Sequence, residues 1–280
     1  MLRKLLPAYV KKMAEQRKGD CPHCPHDIID SRDLKLYRNV CGYWFRPEED
    51  RFRWRDKIPL ARPGLAEIVY FTFIFLLAGF AAAVAAALFH PIFWALFGIE
   101  SGLWLFMISF FRNPPRKIPT DPNVLVSPAD GTVTHVDEVE DADFPGGKAL
   151  RISIFLSVFN VHVNRIPRNA KVVRIRYFPG EFLDARHKDC AVRNEQLWLD
   201  LEDPNGRQIR VKQISGAIAR RIVCWLKEGE VVSAGELFGM IKFGSRTEIL
   251  LPNNGKAEVK VGVGDKVSGG STVILQFRGE

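Results

Sequence analysis

The sequence predicts an α+β fold that is mainly β, and three observations support this. Short runs that mix β-branched and aromatic residues recur over residues 121–280, among them RISIFLSVFNVHVNRI. Turn signals separate these runs, at PADG, FPGG, DPNG and PNNG. A strongly apolar stretch precedes them, over residues 65–111. We therefore expect a sandwich-like or barrel-like domain built from β-hairpin units, preceded by a hydrophobic helical hairpin.

Composition divides the chain into three regions. Residues 1–60 form a basic, cysteine-containing extension, residues 65–111 the apolar hairpin, and residues 112–280 the β-rich domain, which opens with the Pro-rich linker RNPPRKIPT. The net charge is +8, and the first 60 residues carry 14 basic against 9 acidic side chains. Basic charge beside apolar sequence indicates contact with anionic lipid head groups. No basic-aromatic repeat or recognition-helix pattern favours nucleic acid as the partner instead.

The apolar region is long enough to cross a bilayer twice. The first stretch runs for 22 residues without a charge, from Ile68 to Phe89. The second, from Pro91 to Phe111, is interrupted by Glu100, which we expect to be protonated, at a polar turn, or in a re-entrant segment. Basic sequence flanks both ends, which favours an even number of crossings with both ends cytoplasmic. The alternative is a buried helical pair in a soluble protein.

Cysteine usage agrees with a reducing compartment. The chain has five cysteines, an odd number whose spacing does not suggest a disulfide framework. No secretory signal is recognisable, because the apolar run starts late and no small-residue cleavage site follows it. We therefore expect the β-rich domain on the cytoplasmic side of the cell membrane.

A weak internal repeat lies in the β-rich region. The segment GEVVSAG, residues 229–235, resembles GDKVSGG, residues 264–270, which follows 35 residues later. Repeated units of this kind occur in small folds made of β-hairpins, such as the biotinyl and lipoyl carriers. The alternative is that both segments are generic turns.

The heptapeptide KFGSRTE, residues 242–248, is the most informative part of the chain. Its Gly244-Ser245 pair lies between two strand-like runs. A serine beside a glycine-permitted bend can turn its hydroxyl towards the preceding carbonyl, which is the geometry for a chain that cuts itself and converts the serine into a pyruvoyl group. The simpler interpretation is a hairpin turn.

Four motifs after the apolar region carry a family resemblance. In chain order they are FFRNPPR, SPADG, NVHVNRIP and FGSRTEILLP. Together they resemble the phosphatidylserine decarboxylase family, in particular its short bacterial and archaeal branch, which includes archaetidylserine decarboxylases. The resemblance covers residues 105–280. It implies a pyruvoyl-dependent lyase of phospholipid biosynthesis, made as a zymogen, cleaved between Gly244 and Ser245, and working as a homo-oligomer of long and short chains.

Residue chemistry assigns roles within that resemblance. Ser245 is the nucleophile, His162 the base that takes its proton, and Asp130 the carboxylate that orients the imidazole. The pyruvoyl ketone then withdraws electrons from the serine head group, so that phosphatidylserine loses carbon dioxide and becomes phosphatidylethanolamine. Arg165 or Arg246 is expected to bind the phosphate, since a guanidinium offers a rigid fork to an anion.

Two departures from the family pattern affect these roles. Longer members carry two histidines in the segment matching VHVNRIP, whereas this chain has His162 and, near the second position, Arg165. The step that His162 serves, cleavage or decarboxylation or both, therefore stays open. GSR also replaces the GST of many longer members. His187 and Glu195 lie near a further family segment and could contribute to the site.

The N-terminal cysteines form an incomplete zinc-ribbon pattern. Cys21 and Cys24 make a CxxC pair, and Cys41 stands alone where a second pair would complete the ribbon. The run is similar to the ribbon of the acetyl-CoA carboxylase carboxyltransferase β subunit. Tetrahedral zinc needs four ligands, and His23 or His26 could supply the fourth, with His26 our choice. The alternative is a metal-free cap.

Three functions compete at this stage. The first is a membrane-bound, pyruvoyl-dependent decarboxylase of phosphatidylserine or of another serine lipid such as archaetidylserine. The second is a non-enzymatic biotinyl-like or lipoyl-like module with Lys242 as the modified lysine, although the Met-Lys-Met pattern of a biotin site is absent. The third is a zinc-ribbon nucleic-acid binder tethered to a membrane.

Overall fold

The fold is taken from a computed structural model of the 280-residue chain. The structure describes residues 6–19, 43–44, 48–50, 52–217, 221–242, 244–253, 255 and 257–278. The predicted zinc ligands Cys21, Cys24, Cys41 and His26 lie outside these residues. The chain forms two compact units, Met1–Pro114 and Pro115–Glu280.

The first unit is mostly helical where it is described. Its elements are helix α1 (Pro7–Gln16), the paired strands β1 (Lys18–Gly19) and β2 (Tyr43–Trp44), two short 3-10 helices (Arg53–Lys57 and Arg62–Gly64), and helices α2 (Leu65–Leu88) and α3 (Phe93–Phe110). The side chain of Arg62 is buried and forms an ion pair with Asp50 just before α2.

Helices α2 and α3 are each long and apolar enough to cross a membrane. Only 6 % of the most apolar window of each helix is buried, which disfavours the alternative of a helical pair inside a soluble core. Trp104 of α3 donates a hydrogen bond from Nε1 to Thr72 Oγ1 of α2, at 2.9 Å. Glu100 lies inside α3 and lines a cavity between the two helices, so the expected polar turn is not its setting.

The second unit is built almost entirely of strands. Apart from helix α4 (Cys190–Arg193) and a 3-10 turn at Pro145–Gly147, its elements are β3 (Val124–Val126), β4 (Gly131–Glu140), β5 (Lys148–Leu156), β6 (Val163–Arg165), β7 (Ala170–Phe178), β8 (Gln196–Glu202), β9 (Gln208–Ser215), β10 (Ile222–Cys224), β11 (Val231–Val232), β12 (Leu237–Ile241), β13 (Ser245–Pro252), β14 (Ala257–Val259), β15 (Lys266–Val267) and β16 (Val273–Phe277).

The strands form one large sheet and two small ones. The large sheet has the order β11-β7-β8-β9-β13-β5-β4-β15 and curls into a half-barrel, with every neighbouring pair antiparallel. The small sheets have the orders β10-β12-β6 and β14-β16-β3. The prediction of an α+β fold that is mainly β is confirmed.

Strand β13 lies near the middle of the large sheet and passes through the main core. It pairs with β5 along its whole length and with β9 from Ser245 to Leu250. Side chains alternate between the two faces of a strand. Ile249 and Leu251 lie in the main hydrophobic cluster together with Ile152 of β5. Ser245 therefore faces this core, and Arg246 faces the other side of the sheet.

The two repeat segments of the sequence occupy equivalent places. The first supplies β11 and the second β15, which are the two edge strands of the large sheet. In the first, Gly229 N–H donates to the carbonyl of Val172, at 2.8 Å. In the second, Gly264 N–H donates to the carbonyl of Val133, also at 2.8 Å. The repeat thus corresponds to one structural unit used twice, rather than to unrelated turns.

The structure excludes a hairpin at Gly244-Ser245. Strand β12, just before this bend, pairs with β6 and β10 in a small sheet. Strand β13, just after it, pairs with β5 and β9 in the large sheet. The bend is a crossing between two sheets, so no strand pairing joins its two sides.

Replacing Ile249 by alanine should destabilise the second unit, because Ile249 is fully buried in the main core. Large-to-small changes of this kind cost about 2–5 kcal/mol of the free energy of unfolding. Denaturant unfolding of the full chain in detergent measures the loss. The control is Val263→Ala, whose side chain is 68 % exposed and should change little. Equal stability of the two variants would contradict the assignment of β13 to the core.

Candidate active site

The centre of the candidate site is the bend between β12 and β13. Gly244 has φ of +69°, a left-handed conformation that glycine adopts without steric cost and other residues rarely adopt. Ser245 follows as the first residue of β13. The glycine thus turns the chain from one sheet to the other at the bond expected to be cut.

His162 approaches this bend from the loop between β5 and β6. Its Nε2 accepts a hydrogen bond from Gly244 N–H at 3.1 Å, and its Nδ1 lies 2.9 Å from the carbonyl oxygen of Asn160. A carbonyl only accepts, and an amide N–H only donates, so the neutral imidazole must carry its hydrogen on Nδ1. The unprotonated nitrogen of His162 therefore faces the scissile segment, as a general base requires.

Asn160 is itself held by a local turn. Its Oδ1 accepts hydrogen bonds from the Ser157 N–H at 2.9 Å and from the Ser157 Oγ–H at 2.8 Å. Asparagine side chains commonly accept hydrogen bonds from nearby groups in turns. It fixes the backbone of the residue whose carbonyl sets the tautomer of His162.

Ser245 is fully buried, and its hydroxyl is not used to hold the fold. Among the residues that the structure describes, Ser245 Oγ has no hydrogen-bond partner. Buried hydroxyls are normally hydrogen-bonded, because leaving one unpaired costs free energy. An unpaired nucleophile beside a left-handed glycine fits a serine that is consumed in a reaction. The residues present therefore fit the formation of a pyruvoyl group here.

The carbonyl of Gly244 is closely approached by Gly216. A Cβ built on Gly216 would lie 2.5 Å from the Gly244 oxygen, closer than real Cβ contacts. Gly216 follows β9 directly, so the absence of a side chain allows the β9 backbone to lie against the scissile carbonyl. Gly216 was not predicted from the sequence, because a glycine in SGAIA carries no local sign of a distant contact.

Asp130 does not occupy the place that the expected triad assigns to it. Its Oδ2 accepts a hydrogen bond from Arg116 at 2.6 Å, and its Oδ1 accepts one from the Gly269 N–H at 2.8 Å. The Nδ1–H of His162 donates to the Asn160 carbonyl instead of to Asp130. The structure therefore places Asp130 in an ion pair, and Arg116, within the FFRNPPR motif, is its unforeseen partner.

Arg165 lies beside this ion pair. Its backbone N–H donates to the Pro128 carbonyl at 2.9 Å, which joins the PADG turn to β6, and its guanidinium donates to the Gly235 carbonyl at 2.9 Å. Burial lowers the pKa of Arg165, the nearby positive charge of Arg116 lowers it further, and Asp130 partly offsets both. Two guanidiniums and one carboxylate leave a net positive charge at this position.

Arg246 lies on the face of the sheet opposite Ser245 and is only 4 % exposed. Its guanidinium donates to His135 Nδ1 at 2.8 Å and to Cys190 Sγ at 3.2 Å, and Nε lies 3.7 Å from Glu248. Burial and the charge of Arg246 lower the pKa of His135, which keeps that imidazole neutral and able to accept. This placement does not support the expected contact of Arg246 with a phosphate.

Three further residues singled out in the sequence can be placed. His187 is exposed and lies 3.9 Å from Asp189. Glu195 is buried and accepts a hydrogen bond from the Tyr177 hydroxyl at 2.8 Å. Lys242 is 6 % exposed. A carrier lysine must be accessible to the enzyme that modifies it, so the buried Lys242 disfavours the biotinyl-like alternative.

Among the described residues, no cluster of three or more His, Cys, Asp or Glu could hold a metal ion.

Gly216→Ala should slow cleavage at Gly244-Ser245, because the new methyl group would displace the carbonyl that the serine attacks. Misplacement of a reacting group by about 1 Å can cost on the order of a hundredfold in rate. The measurement is the fraction of cut chain over time after synthesis. Gly262→Ala is the control, since its Cβ meets only Asp265 Oδ2, at 3.9 Å. Cleavage of Gly216→Ala at the wild-type rate would argue against the close approach of the β9 backbone to this carbonyl.

The sequence is similar to known proteins of one family. The family model for phosphatidylserine decarboxylase matches residues 103–275. Proteins named phosphatidylserine decarboxylase proenzyme are similar to the chain. That of Rhodopirellula baltica is 43 % identical over 88 % of this chain and 99 % of its own length. That of Desulfotalea psychrophila is 40 % identical over 80 % and 99 %. That of Symbiobacterium thermophilum is 46 % identical over 69 % and 88 %. The chain belongs to the phosphatidylserine decarboxylase family.

Proposed function

We propose that the chain is the precursor of a membrane-bound phosphatidylserine decarboxylase that cuts itself between Gly244 and Ser245. The observation that carries this proposal is the buried, unpaired hydroxyl of Ser245 next to a left-handed glycine whose N–H binds His162. Ser245 becomes a pyruvoyl group, and the mature enzyme converts phosphatidylserine into phosphatidylethanolamine and carbon dioxide.

The cleavage needs only groups that lie at the bend. Ser245 Oγ attacks the Gly244 carbonyl carbon while His162 Nε2 accepts the hydroxyl proton. The C–N bond then breaks and the nitrogen takes a proton, which leaves an ester between Gly244 and the serine oxygen. Loss of the Cα proton expels Gly244 as a carboxylate together with that oxygen. The remaining dehydroalanine tautomerises, and one water hydrolyses it to the pyruvoyl group and ammonia.

The mature site retains the residues that held the precursor bend. The pyruvoyl group supplies a ketone that withdraws electrons from the substrate's amine-bearing carbon when carbon dioxide leaves. His162, held by the Asn160 carbonyl, is in position to deliver the proton that replaces the carboxylate. Arg165 binds the lipid phosphate, supported by the net positive charge that it forms with Arg116 and Asp130. Asp130 acts by holding Arg116.

The helical pair α2 and α3 anchors the enzyme in the membrane that holds its substrate. Its apolar surface supports this role. Basic sequence before α2 and after α3 favours two crossings, with the β-rich unit on the cytoplasmic side. Zinc binding by Cys21, Cys24, Cys41 and His26 stays a prediction from sequence alone, as does assembly into a homo-oligomer.

Which lipid tails the enzyme accepts must be measured, since the proposed contacts involve only the head group. Phosphatidylserine and archaetidylserine share the phosphoserine head and differ in their chains. Carbon dioxide release from each lipid, in the same detergent and at equal concentration, tells them apart. Release from phosphatidylserine supports the substrate proposed here, and release from archaetidylserine alone would replace it.

Ser245→Ala should give one uncut chain without decarboxylase activity, because alanine has no hydroxyl to attack Gly244. The wild-type protein should give two chains, 1–244 and 245–280, the second without a free amino terminus and with a carbonyl that reacts with borohydride. Intact mass and carbon dioxide release are the measurements. Ser233→Ala, at an exposed position, is the control and should be cut normally. A cut Ser245→Ala chain would refute the processing residue.

The two chains should stay together after the cut. Residues 245–280 contribute β13, β15 and β16, which pair with β5 and β9, with β4 and with β3 of the long chain. Strands β12 and β13, on the two sides of the bend, lie in different sheets, so the cut does not separate a pair of neighbouring strands. Size-exclusion chromatography in detergent should show both fragments in one peak, and denaturing electrophoresis should separate them. Loss of the short chain under native conditions would contradict this topology.

A further inference from the structure

A second buried serine lies directly opposite Ser245. Ser215 is the last residue of β9, and in the antiparallel register of β9 and β13 it is the cross-strand partner of Ser245. Directly opposite residues project from the same face of a sheet, with Cβ atoms about 4.5–5.5 Å apart. Both serines are fully buried. Within the described residues, neither hydroxyl has a hydrogen-bond partner.

The next polar pair along the same face behaves differently. Thr247 and Gln213 are cross-strand partners two residues further on. Asn164 joins them, since its Nδ2 donates to Thr247 Oγ1 at 3.2 Å and its Oδ1 accepts from Gln213 Nε2 at 2.8 Å. The fold thus connects polar side chains on this face where they serve structure. One atom of this group, Gln213 Oε1, also has no partner among the described residues, but each of the three side chains is hydrogen-bonded, whereas neither serine hydroxyl is.

The backbone of Ser215 is fixed without help from its side chain. Its N–H donates to the Glu195 carbonyl at 3.0 Å, and its carbonyl accepts from Asn194 Nδ2 at 2.7 Å. On the other side of β13, Ser245 faces Leu156, whose side chain has no polar atom. Ser215 therefore offers Ser245 a polar side chain across the sheet from a rigid position.

We propose that Ser215 is a catalytic residue of self-cleavage, whose hydroxyl donates a hydrogen bond to Ser245 Oγ as that oxygen reacts. During the attack, His162 takes the Ser245 proton, and the Ser215 hydroxyl stabilises the negative charge that develops on Oγ. During the elimination, the same oxygen leaves within the Gly244 carboxylate, and the hydrogen bond stabilises it again. Ser215 keeps its own proton throughout. The inference rests on the proposed self-cleavage at this site.

This role ends when the chain has been cut. The oxygen that Ser215 binds leaves with Gly244, and Cβ of residue 245 becomes a methyl group. Ser215 then has no oxygen to bind at that carbon. Removal of its hydroxyl should therefore slow processing while leaving decarboxylation by each processed molecule intact. A purely structural residue would affect both steps alike.

The test compares Ser215→Ala with the wild-type full chain in detergent. Processing is followed as the cut fraction over time after cell-free synthesis, and turnover as carbon dioxide released per borohydride-reactive carbonyl. We expect processing to slow by about tenfold to a thousandfold, as when one hydrogen-bond donor to a reacting oxygen is removed. Turnover per carbonyl should stay within about twofold. Thermal stability should not fall, since the lost hydroxyl makes no bond in the fold.

Two further variants complete the test. Ser215→Thr keeps a hydroxyl and should be cut faster than Ser215→Ala. Ser153→Ala removes another fully buried serine from the strand on the other side of β13, one whose hydroxyl donates to Glu248 at 2.8 Å on the opposite face. It should lower stability without slowing processing.

Several results would overturn the inference. These are wild-type processing by Ser215→Ala, equal losses of processing and of turnover per carbonyl, and equal processing rates for Ser215→Thr and Ser215→Ala. A failure of the proposed self-cleavage can be distinguished from a failure of this inference, because the wild-type chain itself would then remain uncut.

Discussion

The pairing of β13 on both sides is the constraint on which the site depends. From its first residue the strand is held between β5 and β9, so the position and facing of Ser245 are set by two neighbours. The same pairing holds the serine side chain on the core face, where it is fully buried. A proposed nucleophile held in this way needs no flexible loop to be ordered before it reacts.

The change of sheet at Gly244 sets the position of the bond that is proposed to be cut. The chain must leave the small sheet of β12 and enter the large sheet of β13 within a few residues, and Gly244 makes the turn in a left-handed conformation. His162 contacts the N–H of Gly244, and Gly216 lies close to its carbonyl oxygen. Because the strands on the two sides of Gly244 lie in different sheets, we expect the fold to persist when the bond is cut.

Side chains along β13 alternate between the two faces of the sheet, so its charged residues lie on the face opposite Ser245. Ser245 faces the core, while Arg246 and Glu248 face a polar layer that includes His135 and Cys190. The residue next to the nucleophile in sequence is therefore remote in function. Arg116 forms an ion pair with Asp130, and the charges of both shift the pKa of Arg165, so positive charge also collects around the PADG turn.

The sequence by itself determined the mainly β fold and the apolar helical pair, and its family resemblance predicted Gly244-Ser245 as the bond that is cut and His162 as the base. The fold and the helical pair are local signals, because strand alternation and apolar length are visible in adjacent residues, whereas the cut bond and its base rested on four motifs taken together. Only the tertiary structure decided that Asn160 orients His162, that Asp130 binds Arg116, that Arg246 faces away, and that Gly216 and Ser215 lie against the scissile bond. The reason is that strand register and sheet order join residues far apart in the chain, and no local pattern encodes which strands become neighbours.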